Sequence, residues 1–238
     1  MSRVVLITGG AGGMGRAIRD RFARGGDTVV TTDLRDADIV ADVTVVADCE
    51  RIVAETIARH GRLDVLVAGA GVWVEGPSAE MTEAQWDRTV DVNLKGAFFA
   101  MRYAIPELVK TEGCIVAISS DVGLVGSNGA AIYAASKFGV NGLVKSLAVE
   151  LAPLGVRINS LCPTDVDTPM LAGQARDFGE GDETGYLRKL LDTLPTGERA
   201  RFIRPDEIAA AAWFLASPEA APVSGVALPI EWGATAGY

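Results

Sequence analysis

Histidine occurs once in the 238 residues, as His60. It stands directly before Gly61 at the end of an amphipathic stretch, where a helix is expected to stop. Proton transfer in this chain must therefore proceed without a histidine triad. Cysteine is also sparse: Cys49, Cys114 and Cys162 are widely spaced, with no second Cys or His nearby. That excludes a disulfide framework and a zinc site, and the three are expected to be reduced, buried thiols. No apolar run approaches the ~20 residues of a membrane span. The opening Met1-Ser2-Arg3 leads straight into Val4-Val5-Leu6-Ile7 without the apolar region of a secretion signal, so a soluble, cytoplasmic protein is expected. Basic residues are outnumbered, the formal net charge being -9. With no Lys/Arg stripe to displace counterions, nucleic acid is not an expected partner. Internal repeats, linkers and low-complexity segments are missing as well.

What is present is an ordinary globular balance, 49% hydrophobic and 22% charged, over a length that suits one domain, residues 1–238. Short β-branched runs alternate with helical patterns. Strands are expected at Val4–Ile7, Thr28–Thr32, Leu63–Ala68, Cys114–Ser119, Arg157–Cys162 and Val226–Ile230. Helices are expected at Met14–Arg24, Ala47–Arg59, Ala84–Val109, Ala131–Ala152 and Pro205–Ala216. The alternation predicts an α/β fold, a doubly wound parallel sheet with helices on both faces. The segment Asp165–Arg204 breaks the rhythm, with only short helical patches such as Tyr186–Leu191. It reads as a substrate loop or lid inserted between regular elements, or as a plain surface excursion.

Thr8-Gly9-Gly10-Ala11-Gly12-Gly13-Met14-Gly15 lies between the first strand and the first helix. A diphosphate needs backbone N–H groups at close range and the positive end of a helix dipole, and Gly9, Gly13 and Gly15 permit that approach. The second strand ends in Asp33, whose carboxylate can accept from both hydroxyls of an adenosine ribose and would repel a 2′-phosphate. The expected cofactor is NAD, although Arg35 nearby offsets some of that charge. Asp42-Val43 follows the next short strand and is placed against the adenine. Nine positions between Asp33 and Asp42 are too few for a crossover helix, which is expected to shrink to a turn.

Tyr133 and Lys137 lie four residues apart on one helix face. A free phenol has a pKa of ~10, and a cation at ~4 Å in an effective dielectric of ~20 is worth ~4 kcal/mol, or ~3 pKa units. That would bring Tyr133 into range as an acid/base. Ser120 ends the preceding strand at the carboxyl edge, where open α/β sheets place ligands, and its hydroxyl can hold the substrate oxygen.

The cradle, Asp33, Asp42, Asn93, Ser120, Tyr133 and Lys137, in this order, resemble the short-chain dehydrogenase/reductase family through nearly the whole chain. The resemblance implies a Rossmann fold in which the tyrosine is the acid/base and the lysine lowers its pKa while holding the nicotinamide ribose. It also implies that Ser120 positions the substrate and Asn93 completes a proton relay through water. Cofactor contacts are implied for Met14, Ala70 and Gly71. Pro163 to Met170 resembles the segment that binds the nicotinamide carboxamide, through the Val166 main chain and the Thr168 hydroxyl. A homotetramer is implied, its main interface formed by the helices carrying Asn93 and Tyr133. The chain departs from the pattern at Ala68-Gly69-Ala70-Gly71, where the family usually has Asn-Asn-Ala-Gly, at Thr164 and at Glu231-Trp232. The hydrogen bonds that an asparagine amide would make from position 68 must be replaced or absent.

These readings predict oxidation of a small secondary alcohol, or reduction of its ketone, with NAD. Trp73, Val74, Val122 to Leu124 and the loop from Asp165 to Arg204 are expected to line an apolar pocket for a cyclic or aromatic substrate. Rival readings are a dihydrodiol-type dehydrogenase, a 3-oxoacyl carrier protein reductase and a non-catalytic NAD-binding sensor.

Overall fold

Val4-Val5-Leu6-Ile7-Thr8 forms β1 (Val4–Thr8) with every side chain buried, the pattern of a strand covered on both faces. The computed structural model describes residues 2–237. In it β1 pairs in parallel with β2 (Thr28–Asp33) on one side and β4 (Val65–Ala68) on the other. β3 (Ile39–Val40), β5 (Cys114–Ile118), β6 (Arg157–Pro163) and β7 (Ala227–Ile230) complete a seven-stranded sheet in the order β3-β2-β1-β4-β5-β6-β7, parallel throughout.

Strand side chains alternate between two helical layers, as the period of two requires. Leu6, Leu66, Ile115 and Ile158 face the layer of α2 (Val46–His60), α4 (Ala97–Thr111) and α5 (Ala131–Leu151). Val5, Ile7, Val67 and Val116 face α1 (Gly13–Arg24) and α8 (Pro205–Leu215), where Phe22 and Ile18 pack against Ala212 and Leu215. His60 ends α2 and Gly61 takes the left-handed C-cap, as expected. All three cysteines are free and buried.

Residues 34–38 contain no helix, so the crossover after β2 is indeed a turn, leading to the two-residue β3. The long helix expected at Ala84–Val109 is present with an interruption. α3 (Glu83–Val90) runs into a π-helical turn, Asp91–Gly96, before α4. The segment Asp165–Arg204 holds more helix than the short patches expected. It contains two ten-residue helices, α6 (Pro169–Phe178) and α7 (Glu183–Asp192), and a bridge between Val166 and Ile203 closes its base. Among the described residues no helix is long and apolar enough to cross a membrane.

Candidate active site

The chain leaves β1 toward β2 and leaves β4 toward β5, in opposite directions across the sheet, which opens a crevice at their carboxyl ends. The glycine loop fills the β1 side of this crevice. Gly9 has φ +72°, and a Cβ there would stand 2.7 Å from the Gly69 carbonyl oxygen. A Cβ on Gly15 would overlap the Gly9 carbonyl, and one on Gly13 would meet Thr168 Cγ2 at 2.7 Å. Gly13 thus serves the approach of the inserted segment to α1 as much as any ligand. No side chain caps α1 and its first turn holds no acidic residue, so its leading N–H groups and dipole remain available to an anion.

This loop lines a cavity of about 500 Å³ together with Asp33, Asp42, Val43, Ala70 and Gly71. Asp33 has a structural duty too: one oxygen accepts from Ala11 N at 3.0 Å and the other from Leu34 N at 2.8 Å. Arg16 and Arg35 border the same cavity; of these, Arg16 belongs to no motif in the sequence. Asp42 accepts from both the N–H and the hydroxyl of Thr44, which fixes the turn carrying Val43. Val43 in turn packs where a Cβ on Gly96, in the π turn, would stand. The donors, the acceptor at Asp33 and the shape of the crevice fit a dinucleotide.

Met14, Thr168 and Met170 border both this crevice and a second cavity of about 380 Å³, which contains Ser120, Tyr133, Pro163 and Val166. Ser120 follows β5 and donates to Asp121 Oδ1 at 2.8 Å, with the Pro163 carbonyl as a second acceptor at 3.4 Å. Tyr133, in the first turn of α5, is 9% exposed, and its ring lies 4.4 Å from that of Trp73. Thr168 caps α6 and donates to the Val166 carbonyl at 3.2 Å.

Asn93 is pinned within the π turn: its Oδ1 accepts from Val72 N at 2.8 Å, and its Nδ2 donates to Val72 O and Ser136 Oγ. An extra residue in a helical turn is characteristic of functional sites; here it turns the amide toward β4. A Cβ on Gly71 would lie 3.4 Å from Asn93 Oδ1 and 3.6 Å from Lys137 Nζ, so the glycine preserves a gap between amide and ammonium. Thr8 steadies the turn that follows Ala68. Its buried hydroxyl accepts from Gly69 N at 3.0 Å and Ala70 N at 3.2 Å.

Lys137 Nζ donates to the Ile118 carbonyl at 2.9 Å and stands 5.5 Å from the Tyr133 ring centroid. Burial pushes the ammonium down to about 8. Burial likewise pushes the phenol above its ordinary range; a hydrogen bond with Ser120 pulls it down, and Asp121 and Asp165 push it up further. The cause is desolvation, which penalises the charged form of either group.

A stability signature follows. The unfolded chain keeps an ordinary lysine while the folded one has lost its proton above about 8. Stability therefore rises with pH between about 8 and 10.5, and this gain is lost as pH falls below about 8. Urea melts of wild type and Lys137→Met across that window should show wild type gaining on the variant, by up to about 1.4 kcal/mol per pH unit. A constant difference would show that the ammonium is not desolvated.

The pocket is apolar over most of its lining, with the segment after Asp165 contributing as expected, but it carries acids as well. Trp73 and Val122 line it, but Val74 is packed behind Tyr133, and Gly123 and Leu124 border a separate hollow with Phe138. In their place stand Glu75, Asp121 and Tyr186. Asp121 adjoins Ser120 and was open to notice, whereas Glu75 and Tyr186 meet across 111 positions with no motif to announce it. Another hollow, of about 530 Å³, lies at the amino edge of the sheet around Arg3, Asp64 and Arg157, away from Ser120 and Tyr133.

Comparison with known proteins agrees with this geometry. The short chain dehydrogenase family model matches residues 3–178. The chain is 35% identical to meso-2,3-butanediol dehydrogenase of Serratia marcescens, covering 99% of this chain and 95% of that one. It is 34% identical to the 3-oxoacyl-[acyl-carrier-protein] reductase of Thermotoga maritima, covering 97% of each. Among solved structures, levodione reductase superposes with a TM-score of 0.94 at 32% identity, over 99% of this chain and 98% of that one.

Proposed function

The chain belongs to the short-chain dehydrogenase family, whose members oxidise and reduce at CH–OH carbons, and from that premise we propose that it interconverts a small secondary alcohol, cyclic or aromatic, and its ketone with NAD. The observation that carries this reading is the placement of Ser120 and Tyr133 in one cavity that joins the dinucleotide crevice through Met14, Thr168 and Met170.

In the proposed mechanism the substrate oxygen sits between the Ser120 hydroxyl and the Tyr133 phenol. Tyr133, once ionised, takes the hydroxyl proton, and in the reverse direction returns it to the carbonyl oxygen. Ser120 donates to the oxygen as negative charge develops on it. Bound nicotinamide supplies the acceptor or donor of the hydride. Lys137 holds positive charge behind Tyr133, and the gap beside Gly71 and Asn93 offers its proton a way out. Gly9, Gly13 and Gly15 would hold the diphosphate, Asp33 the adenosine ribose, and Val166 with Thr168 the carboxamide. The preference for NAD rests on Asp33, an acceptor without a proton to give a 2′-phosphate.

We further assign the chain to the cytoplasm, on its three reduced, buried thiols, and to a homotetramer. Phe138 and Val149 on α5 and Trp86 on α3 are large apolar side chains left exposed, and they lie on the helices expected to form the interface. The 3-oxoacyl reductase reading is favoured by the similarity to the Thermotoga protein; the net charge of -9 opposes docking of an acidic carrier.

A panel of secondary alcohols supplied with NAD or NADP, followed by absorbance of the reduced nicotinamide, tests the reading. Turnover of secondary alcohols with NAD is expected. Tight NAD binding without turnover of any of them would favour the sensor instead.

A further inference from the structure

The substrate cavity contains three aromatic rings, Trp73, Tyr133 and Tyr186, and three carboxylates, Glu75, Asp121 and Asp165. The cavity is a ligand site on grounds independent of these acids, since the nine-tenths buried Tyr133 and the neighbouring Ser120 open into it. Glu75 Oε2 accepts from Trp73 Nε1 at 2.7 Å and from the Tyr186 hydroxyl at 2.6 Å. This ties α7 to the ring that packs on Tyr133. Asp121 Oδ1 accepts from Ser120 Oγ and Val122 N. The Asp165 carboxylate accepts no hydrogen bond from the described residues. Burial, followed by the charges of Asp121 and Glu75, pushes it up to about 6, so it remains ionised at neutral pH.

Such an arrangement suits a cation, Asp165 being the acid left without a partner. Lys189 borders the cavity from α7 but is exposed and joins no ion pair with these acids among the described residues. Neutral hydroxyl groups would satisfy acceptor oxygens while leaving the mutual repulsion of the carboxylates intact. An ammonium relieves both, and the faces of tryptophan and tyrosine attract organic cations further. It would also offset the two acids that add to burial in holding the Tyr133 phenol up.

We propose that the substrate is an amino alcohol, or the matching amino ketone, whose ammonium is held by Asp165 within the ring of Trp73, Tyr133 and Tyr186 while its carbinol carbon meets Tyr133 and Ser120. This specifies the substrate class of the alcohol oxidoreductase proposed above and rests on that reading. A carboxylate or an acidic carrier is disfavoured in the same cavity.

The test is a matched pair differing only in the charged group, 2-amino-1-phenylethanol and 1-phenylethane-1,2-diol, assayed with NAD at pH 7.5. The amine should have the higher kcat/KM by about tenfold or more, and Asp165→Asn should bring the ratio close to one. A readout without turnover uses the NADH-bound protein: calorimetric titration should give 2-phenylethylamine a Kd at least about tenfold below that of 2-phenylethanol. Equal or better use of the diol, equal binding of the neutral ligand, or a ratio unmoved by Asp165→Asn overturns the proposal. Turnover of neutral alcohols without any ammonium preference would sink this inference alone. No turnover of any alcohol would sink the functional reading and this inference with it.

Discussion

Tyr133→Phe is expected to lower kcat/KM for secondary-alcohol oxidation by about 10³-fold, within the usual range for removing a general acid/base. The substitution deletes one oxygen and keeps the ring that packs on Trp73 at 4.4 Å. Its cost in stability is therefore the hydrogen bond shared with Ser120, about 1 kcal/mol. Stability and NAD affinity should thus stay near wild type while turnover collapses. The pH dependence carries a sign. Burial pushes the phenol above its ordinary value, and oxidation requires the ionised form, so the wild-type oxidation rate should climb with pH from 6 to 10 without an early plateau. Ketone reduction uses the protonated phenol and should not climb over that range. Initial rates in both directions, with circular dichroism melts as control, check this. Residual oxidation within tenfold of wild type would remove Tyr133 from the role of base.

The parts of the site that were legible in the sequence are those whose chemistry is written locally. The glycine loop lies directly between a strand and a helix, Tyr133 and Lys137 are one turn apart, and Asp33 ends its strand. Features set by tertiary packing were not legible. Asn93 was marked by the family resemblance alone, and the π turn around it becomes evident only where Val43 packs on Gly96 and Val72 takes both ends of the amide. Thr8 gives no sign in the sequence that its hydroxyl will hold Gly69 and Ala70. Lys137 was placed on the correct helix face, but its distance from Tyr133 depends on the Ile118 carbonyl, nineteen positions away. α6 escaped notice although Thr168-Pro169 is a helix-start signal, because the pattern that follows is only ten residues long and Gly173 weakens it. The acidic character of the substrate cavity arises from three separate segments: the loop after β4 (Glu75), the turn after Ser120 (Asp121) and the loop after β6 (Asp165). No single stretch of sequence displays it.

Asp33→Asn should move the ratio of kcat/KM for NAD over NADP toward NADP by on the order of 100-fold, or about 2.8 kcal/mol. The effect comes from charge rather than shape. Asparagine retains one oxygen for Ala11 N, which the Asp33 carboxylate now holds at 3.0 Å, so the glycine loop should keep its course while the exposed Leu34 N turns to solvent. What disappears is the repulsion between a carboxylate and a 2′-phosphate, which at ~4 Å in an effective dielectric of ~20 is worth ~4 kcal/mol per pair of unit charges before salt screening. Arg16 and Arg35 already border the crevice, and once the acid is neutral both can pair with the phosphate. Most of the shift should appear as a fall in the KM for NADP, with a smaller rise in the KM for NAD as the ribose hydroxyls lose their charged acceptor. Steady-state kinetics with both cofactors at two ionic strengths tests the argument, because the NADP gain should shrink at high salt. An unchanged cofactor ratio would show that Asp33 only fixes the loop and that discrimination lies elsewhere in the crevice.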